Sequence, residues 1–172
     1  LDGVNAEAAT AAELRMAVIR MDAIQMEAKA LKDLRSQKES YESKLRDELT
    51  RDQKALEKEK AEIEKSQDVL SREALARRVH EYQNRVTRLQ RDLTERAQSI
   101  EASFQKALND IQATHLDPII EGIIEKKNLS LAIDGRFARI GSGLKTLDIT
   151  QVVINALDQK ISNVKMDKPQ GS

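Results

Sequence analysis

The sequence has few of the residues that end helices. Only six glycines and two prolines occur among 172 residues, and none lies between Val4 and Asp117. Because these two residue types are the main terminators of helices, the chain is expected to form very long helices. Aromatic residues make up 2% of the sequence and charged residues 34%. This composition leaves little material for a thick core and is typical of a coiled coil.

Cysteine is absent, which excludes disulfides and thiolate metal sites. The formal net charge is zero, which argues against a general nucleic-acid binder, since such proteins usually carry a basic excess. The sequence shows neither a transmembrane run nor a secretory signal. If the protein is exported, we expect its leader to have been removed.

The helical pattern breaks and restarts near Ser71, and apolar residues mirror one another about that point. An antiparallel hairpin requires such equal distances if each seam residue is to meet a partner. We therefore predict a helical hairpin over 24–115 with its tip near 66–74. Its seam is expected to pair Leu31 with Ile111, Leu34 with Leu108, Leu49 with Leu93, Leu56 with Val86, and Ile63 with Val79.

The two arms of this hairpin differ in their apolar pattern. Beyond Leu49 the outgoing arm keeps one apolar residue per heptad, and the alternate seam positions are Asp52, Glu59 and Ser66. The returning arm keeps both positions filled. Each missing large apolar residue forgoes roughly 1.5 to 3 kcal/mol of burial. The pattern predicts a rigid root and a pliable tip.

Charge is also distributed unevenly between the arms. Residues 38–68 carry eight basic and ten acidic side chains, whereas residues 72–99 carry seven arginines and four acids. One interpretation is a solvated face that pairs with acids of the opposite arm. The other is electrostatic attraction of acidic clients or membrane surfaces. The arginines considered for this second role are Arg72, Arg77, Arg78, Arg85, Arg88 and Arg91.

The two ends of the chain contain shorter elements. Residues 16–21 are predicted to form a strand, with Asp22 as the N-cap of a helix that runs from Ile24 to about Leu70. Asp117-Pro118 either ends the returning helix or begins a new one. A short buried helix that closes near Asn128 is predicted next, with the apolar residues Ile119, Ile120, Ile123 and Ile124. Strands over 129–133 and 136–140 follow, joined by an Asp134-Gly135 hairpin turn. A final helix runs through about Ile161.

These ends are expected to form one body from residues 1–23 and 116–172. Three short strands are marginal alone, so we expect the body to self-associate and to bury its strand edges. The fold class predicted is α+β, mostly α, with a long hairpin on a small β-sheet or barrel. The strand residues expected at the contact between copies are Val18, Ile19, Leu131, Ile133, Phe137 and Ile140.

Candidate chemical sites have simpler structural interpretations. The segment 141–146 lacks the glycine spacing of a phosphate-binding loop and is expected to be a flexible connection. His80 and His115 lie far apart without a second ligand at i+4 and are expected on a helix surface or seam. Asp47-Glu48 lies on a solvated face, and Asn128-Leu129-Ser130 is taken as a helix end. The sequence therefore predicts no enzyme, no cofactor and no metal.

Three stretches resemble the Skp/OmpH family of periplasmic chaperones. They are Met16-Ala-Val-Ile-Arg-Met-Asp22 before a long charged helix, the 129–133 strand with its Asp-Gly turn, and Leu147-Asp-Ile-Thr-Gln-Val-Val-Ile-Asn-Ala-Leu157. The resemblance covers nearly the whole chain. It implies a homotrimer in which three hairpin tentacles surround a cavity that holds unfolded outer-membrane proteins in the periplasm. Arg20 departs from the acidic residue common there, and the net charge departs from strongly basic relatives.

The principal hypothesis from the sequence is an ATP-independent holdase that prevents aggregation of its clients. Its partners would be unfolded outer-membrane proteins and further copies of itself, with weak contact to membrane surfaces and none to nucleic acid. Two alternatives stay open: a structural or adaptor coiled coil that binds one folded partner, and a prefoldin-like cytoplasmic chaperone.

Overall fold

The computed structural model describes residues 14–172, which form two units. The first, called the body here, comprises 14–35 and Lys106–Lys165; the second, called the hairpin unit, comprises Ser36–Gln105 and Met166–Ser172. Residues 1–13, which the sequence assigns to the body, lie outside the described residues. The tail Met166–Ser172 was also assigned to the body, but the structure places it against the hairpin arms.

Helices dominate both units. In chain order the elements are β1 (Met16–Ile19), α1 (Met21–Glu27), α2 (Lys29–Lys65), α3 (Arg72–Ile111), a π-helical segment (Gln112–Leu116), α4 (Asp117–Lys126), β2 (Leu131–Asp134), two 3₁₀ segments (Gly135–Phe137 and Ser142–Leu147) and α5 (Thr150–Lys160).

The predicted helical hairpin is confirmed, and α2 and α3 are its arms. The turn lies between Lys65 and Arg72. Ser71 begins α3 as an N-cap, because its Oγ accepts a hydrogen bond from the backbone N–H of Ala74 at 3.2 Å. The carbonyl of Ser71 also accepts from the N–H of Leu75 at 2.9 Å. A serine thus restarts the helix where glycine and proline are absent.

The prediction of one unbroken outgoing helix is wrong at its start. Ala28 separates α1 from α2 with an extended backbone (ψ 136°). The break is stabilised because the N–H of Lys29 donates to the Asp158 carboxylate at 2.9 Å and the Arg35 guanidinium donates to the carbonyl of Met26 at 2.8 Å. These partners satisfy backbone groups that a helix end would otherwise leave unpaired. Asp158 lies far along the chain and Arg35 lies after the break, so the local sequence does not reveal it.

The assignment of Asp22 as a helix cap is also wrong. The helix α1 begins at Met21, so the N-cap position falls on Arg20, whose side chain makes no capping hydrogen bond. Asp22 lies in the first turn instead. There its carboxylate still faces the positive end of the helix dipole.

The sheet differs from the predicted three strands. Within residues 14–172 it has two strands, and β1 pairs with β2 in parallel, Met16 opposite Leu131 and Ile19 opposite Asp134. The prediction of a second strand at 136–140, joined to the first by a β-hairpin turn, is wrong. The Asp134 carboxylate accepts from the backbone N–H of Arg136 at 3.0 Å and from its guanidinium at 2.7 Å. This local capping turns the chain into a 3₁₀ segment in place of a β-turn.

Position 135, just after β2, requires glycine because there is no space for a side chain. A Cβ at this position would lie 2.9 Å from Cγ of Arg20 and 3.2 Å from Cγ1 of Val18. The Asp-Gly pair therefore lets β2 approach β1 closely, and it does not form a hairpin turn.

Pro118 lies in the first turn of α4, the position that tolerates its missing N–H. Asn128 ends the helical stretch in the left-handed conformation (φ 53°), and the N–H of Leu129 donates back to the carbonyl of Ile124 at 2.9 Å. The predicted end near Asn128 is thus correct. The expected burial is not, because the four isoleucines of α4 (Ile119, Ile120, Ile123 and Ile124) are only half-buried.

The core of the body surrounds α5. This helix contacts α1, α4, the π-helical segment and β1, and it buries Val153, Ile154 and Leu157. Leu157 and Ile24 are both 0% exposed. The final helix predicted through Ile161 is observed with its end at Lys160.

Candidate functional site

Ion pairs between the arms show how the hairpin is held in register. Lys38 lies 2.8 Å from Glu101, and the Arg96 guanidinium lies 2.5 Å from the Glu48 carboxylate. The hydrogen bond from Arg96 lowers the pKa of Glu48. The hydrogen bond from Lys38 likewise lowers the pKa of Glu101. Each pair joins residues at nearly equal distances from Ser71, as the predicted hairpin requires.

The predicted seam residues fall into two groups by burial. Leu31, Leu34, Ile63 and Ile111 are buried. The half-buried members are Leu49, Leu56, Val79, Val86, Leu93 and Leu108. Within residues 36–105, the arm residues of the hairpin unit, Ile63 (7% exposed) and Ile100 (3%) are the buried hydrophobic side chains. Most apolar side chains along the arms therefore retain contact with solvent.

Arginines of the returning arm meet the polar positions of the distal seam. Arg85 pairs with Glu59, and the Arg78 guanidinium donates to Oγ of Ser66 at 3.3 Å. Asp52 is exposed. The side chains that line a shallow groove between the arms here are Asp52, Ala55, Leu56, Glu59, Arg85 and Leu89. The polar positions Glu59 and Ser66 of the distal seam thus make polar contacts with the returning arm.

The remaining arginines of the predicted cluster face solvent. Arg72, Arg77, Arg88 and Arg91 are exposed. Within the part of the chain that the structure describes, none of the four makes an ion pair. A shallow groove on α3 is lined by Arg85, Arg88, Leu89, Arg91, Asp92 and Glu95. Arg85 therefore pairs with an acid of the opposite arm, as the first interpretation expects, while attraction of acidic clients by the four exposed arginines stays a prediction.

The strand residues expected at a contact between copies are partly exposed. Val18 and Ile19 are buried, and Ile133 and Ile140 are half-buried. Leu131 is 36% exposed and Phe137 83%, with the Arg136 guanidinium 5.5 Å from its ring. Within residues 14–172, β2 has β1 as its single partner strand. An open strand edge and an exposed aromatic residue are features that oligomers cover.

The Asp-Ile-Thr segment connects α5 to the end of β1. The Asp148 carboxylate accepts hydrogen bonds from the hydroxyl of Thr150 at 2.5 Å and from its N–H at 2.9 Å, and these lower the pKa of Asp148. The Thr150 hydroxyl in turn accepts from the N–H of Arg20 at 2.9 Å. Nε of Arg20 lies 3.8 Å from Asp148. Arg20 thus faces an acid from a distant part of the chain, a contact that its sequence neighbours do not indicate.

Arg96 is one of the seven arginines of the returning arm, and its sequence context predicts no role for it. Its side chain is 12% exposed, and besides Glu48 it lies 3.6 Å from Asp92. Its Nη2 donates to the backbone carbonyl of Gly171 at 3.2 Å. No local signal distinguishes Arg96 from the exposed arginines, because its role depends on the tail.

The remaining candidates have ordinary surroundings. His80 is exposed, and His115 is half-buried in the π-helical segment with Nδ1 unpartnered. The described residues contain no cluster of acidic, histidine or cysteine side chains that could hold a metal. The expected flexible connection at 141–146 is largely a 3₁₀ segment. Among the described helices, none combines the length and the apolarity that crossing a bilayer requires.

Comparisons with known proteins agree on one family. The family model for outer membrane protein (OmpH-like) matches residues 15–157. A crystal structure from Caulobacter crescentus CB15, whose proposed role is that of an outer membrane chaperone (OmpH-like), has a TM-score of 0.83 at 20% sequence identity and covers 91% of each chain. The search of curated proteins gave no match. This chain therefore belongs to the OmpH-like family, whose members are chaperones and not enzymes.

Proposed function

We propose that this protein is an ATP-independent holdase of the periplasm that encloses unfolded outer-membrane proteins between hairpin arms of a homotrimer. The observation that carries the proposal is the hairpin surface: its grooves are shallow and lined by mixed charged and apolar side chains. A surface of this kind suits many weak contacts with an extended chain better than one tight contact with a small ligand.

Weak contacts suffice if several arms act together. When one arm has engaged a client, a second arm of the same assembly binds it as an intramolecular event, so the summed avidity far exceeds each single affinity. Capture stabilises the unfolded client by mass action and keeps it from aggregating. Release then follows transfer to a better partner or folding of the client.

Self-association is supported by the body. Leu131 and Phe137 expose apolar surface, and β2 offers an open edge. Addition of a strand from another copy would satisfy that edge and bury this surface. The trimeric stoichiometry rests on the family resemblance.

The direct test combines sizing with an aggregation assay. Light scattering is expected to give three chains per particle. The protein is then mixed with a denatured β-barrel protein, and turbidity is expected to be suppressed at one assembly per client without ATP. A monomer that leaves the turbidity unchanged would overturn the proposal in favour of an adaptor that binds one folded partner.

The exposed arginines are predicted to accelerate capture of acidic clients. Changing Arg72, Arg77, Arg88 and Arg91 to Gln should slow capture about tenfold at low salt, because steering by a charged surface raises association rates by ten-fold or more. The difference should disappear near 1 M salt, where charges are screened within about 3 Å. Stopped-flow fluorescence with a labelled acidic client measures the rate.

The matched control removes the same number of positive charges from the exposed face of α2, by changing Lys54, Lys58, Lys60 and Lys65 to Gln. The free energy of unfolding of the arginine variant should change by no more than about 0.5 kcal/mol per substitution, since the four exposed arginines make no ion pair among the described residues. Equal capture rates for both variants at low salt would contradict a specific role of the arginine row.

A further inference from the structure

The segment Met166–Ser172, called the tail, lies in the hairpin unit outside helices and strands. It includes a turn in which the N–H of Ser172 donates to the carbonyl of Pro169 at 3.2 Å. Two apolar side chains anchor it: Met166 is 1% exposed and Pro169 is buried. They stand three residues apart, with the charged side chains of Asp167 and Lys168 exposed between them. The hairpin thus accommodates an apolar residue and a proline from a segment without regular structure.

The arms hold the tail mainly through its backbone. The N–H of Met166 donates to the side-chain oxygen of Gln37 at 2.9 Å, and the N–H of Gln170 donates to Oγ of Ser99 at 2.7 Å. Arg96 donates to the carbonyl of Gly171 at 3.2 Å. Each of these hydrogen bonds reaches a group that every polypeptide carries. These three hydrogen bonds do not depend on the side chains of the occupant, whereas the buried Met166 and Pro169 and the crowded Gly171 restrict three of its positions.

A fourth contact and a close approach complete the arrangement. The side-chain amide of Gln170 donates to Glu95 at 3.4 Å. Gly171 has φ 78°, and a Cβ there would lie 2.6 Å from Nε of Arg96, a nitrogen that is buried without a partner. Arg96 therefore contacts the end of the tail while its guanidinium also binds Glu48. The tail and the cross-arm ion pair share one side chain.

We propose that the surface formed by Gln37, Glu95, Arg96 and Ser99 is a binding site for polypeptide without regular secondary structure, and that the tail occupies it as an intramolecular competitor of unfolded client segments. The client part of this proposal rests on the proposed holdase function. A tethered segment is present at an effective concentration of the order of millimolar. A single client segment would displace it poorly, whereas a client held at several arms would compete.

The absence of cysteine allows a switch to be built into the full chain. Backbone N of Gln170 lies 2.7 Å from Oγ of Ser99, so Ser99→Cys with Gln170→Cys should place two thiols close enough for a disulfide that locks the tail. A second variant releases the tail: Met166→Asp puts a charge into a fully buried position, and Gly171→Ala adds the methyl group that collides with Arg96. The reduced form of the cysteine pair is the control for the lock.

The probe is a fluorescent peptide with the sequence of residues 164–172. The released variant should bind it at least tenfold more tightly than the oxidised, locked variant. A second peptide that keeps Met, Pro and Gly but has Ala at the other positions should bind within about threefold, while one with Asp in place of Met should not bind. Equal binding of the first peptide by locked and released forms, or by neither, would overturn the site.

Client capture provides the second readout. The released variant should suppress aggregation of a denatured β-barrel protein at a lower molar ratio than the locked variant, by about threefold or more. Equal suppression by both forms would overturn competition with clients while leaving the holdase function intact. If wild type and variants all fail to suppress aggregation, the holdase function fails, and peptide binding still reports on the site.

Discussion

Leu157→Ala is expected to lower the free energy of unfolding by about 2 to 5 kcal/mol. Leu157 is 0% exposed on α5, the helix that contacts α1, α4, the π-helical segment and β1. Truncation to alanine removes buried apolar atoms and leaves a cavity that these packed neighbours cannot fully close. Urea unfolding followed by circular dichroism measures the loss, at fixed protein concentration because self-association would add to stability.

Val152→Ala on the same helix is the matched control. Val152 is 43% exposed, so its truncation should change the free energy of unfolding by no more than about 0.5 kcal/mol. If the two variants unfold at the same urea concentration, α5 is not the centre of the body core. If Leu157→Ala also lowers the fraction of assembled protein in light scattering, the integrity of the body and self-association are coupled.

The hairpin could be predicted from sequence because its determinants are local and repeated. Helix terminators are absent, the seam residues recur at heptad spacing, and Ser71 carries the hydroxyl that begins the second arm. An error at one position does not disturb such a pattern. The strand predicted over 16–21 is observed at Met16–Ile19, and the predicted final helix begins at Thr150, because each also has a local signal.

The features that sequence reasoning missed depend on partners far along the chain. The break at Ala28 is stabilised by Asp158, and the approach of Gly135 to Arg20 replaces the expected hairpin turn. The position of the tail depends on Gln37, Ser99 and Arg96. Propensity and periodicity describe neighbours within a few residues, so contacts across the fold override them without a local signal.

Filling the polar part of the distal seam is expected to stiffen the tip of the hairpin. In Glu59→Leu with Arg85→Leu, an apolar pair replaces an ion pair whose side chains are 21% and 44% exposed. Leu56 and Leu89 line the groove beside that ion pair, so they can pack against the two new leucines. Burial of the two leucines should add up to about 3 kcal/mol, and replacing a pair of opposite charges leaves the net charge unchanged. Hydrogen exchange should show at least tenfold slower exchange of amides around the turn.

A stiffer tip should also narrow the range of clients, since pliable arms are what would fit an opening to clients of different size. Suppression of aggregation should fall several-fold for a large β-barrel client and change little for a small one. Arg51→Leu with Glu57→Leu controls for added apolar surface, because both residues are exposed on α2 and their replacement gives the seam no new partner. A variant that protects its tip amides yet captures large clients as well as wild type would show that capture does not use pliability. The polar seam would then serve only to keep exposed leucines from binding other copies of the chain.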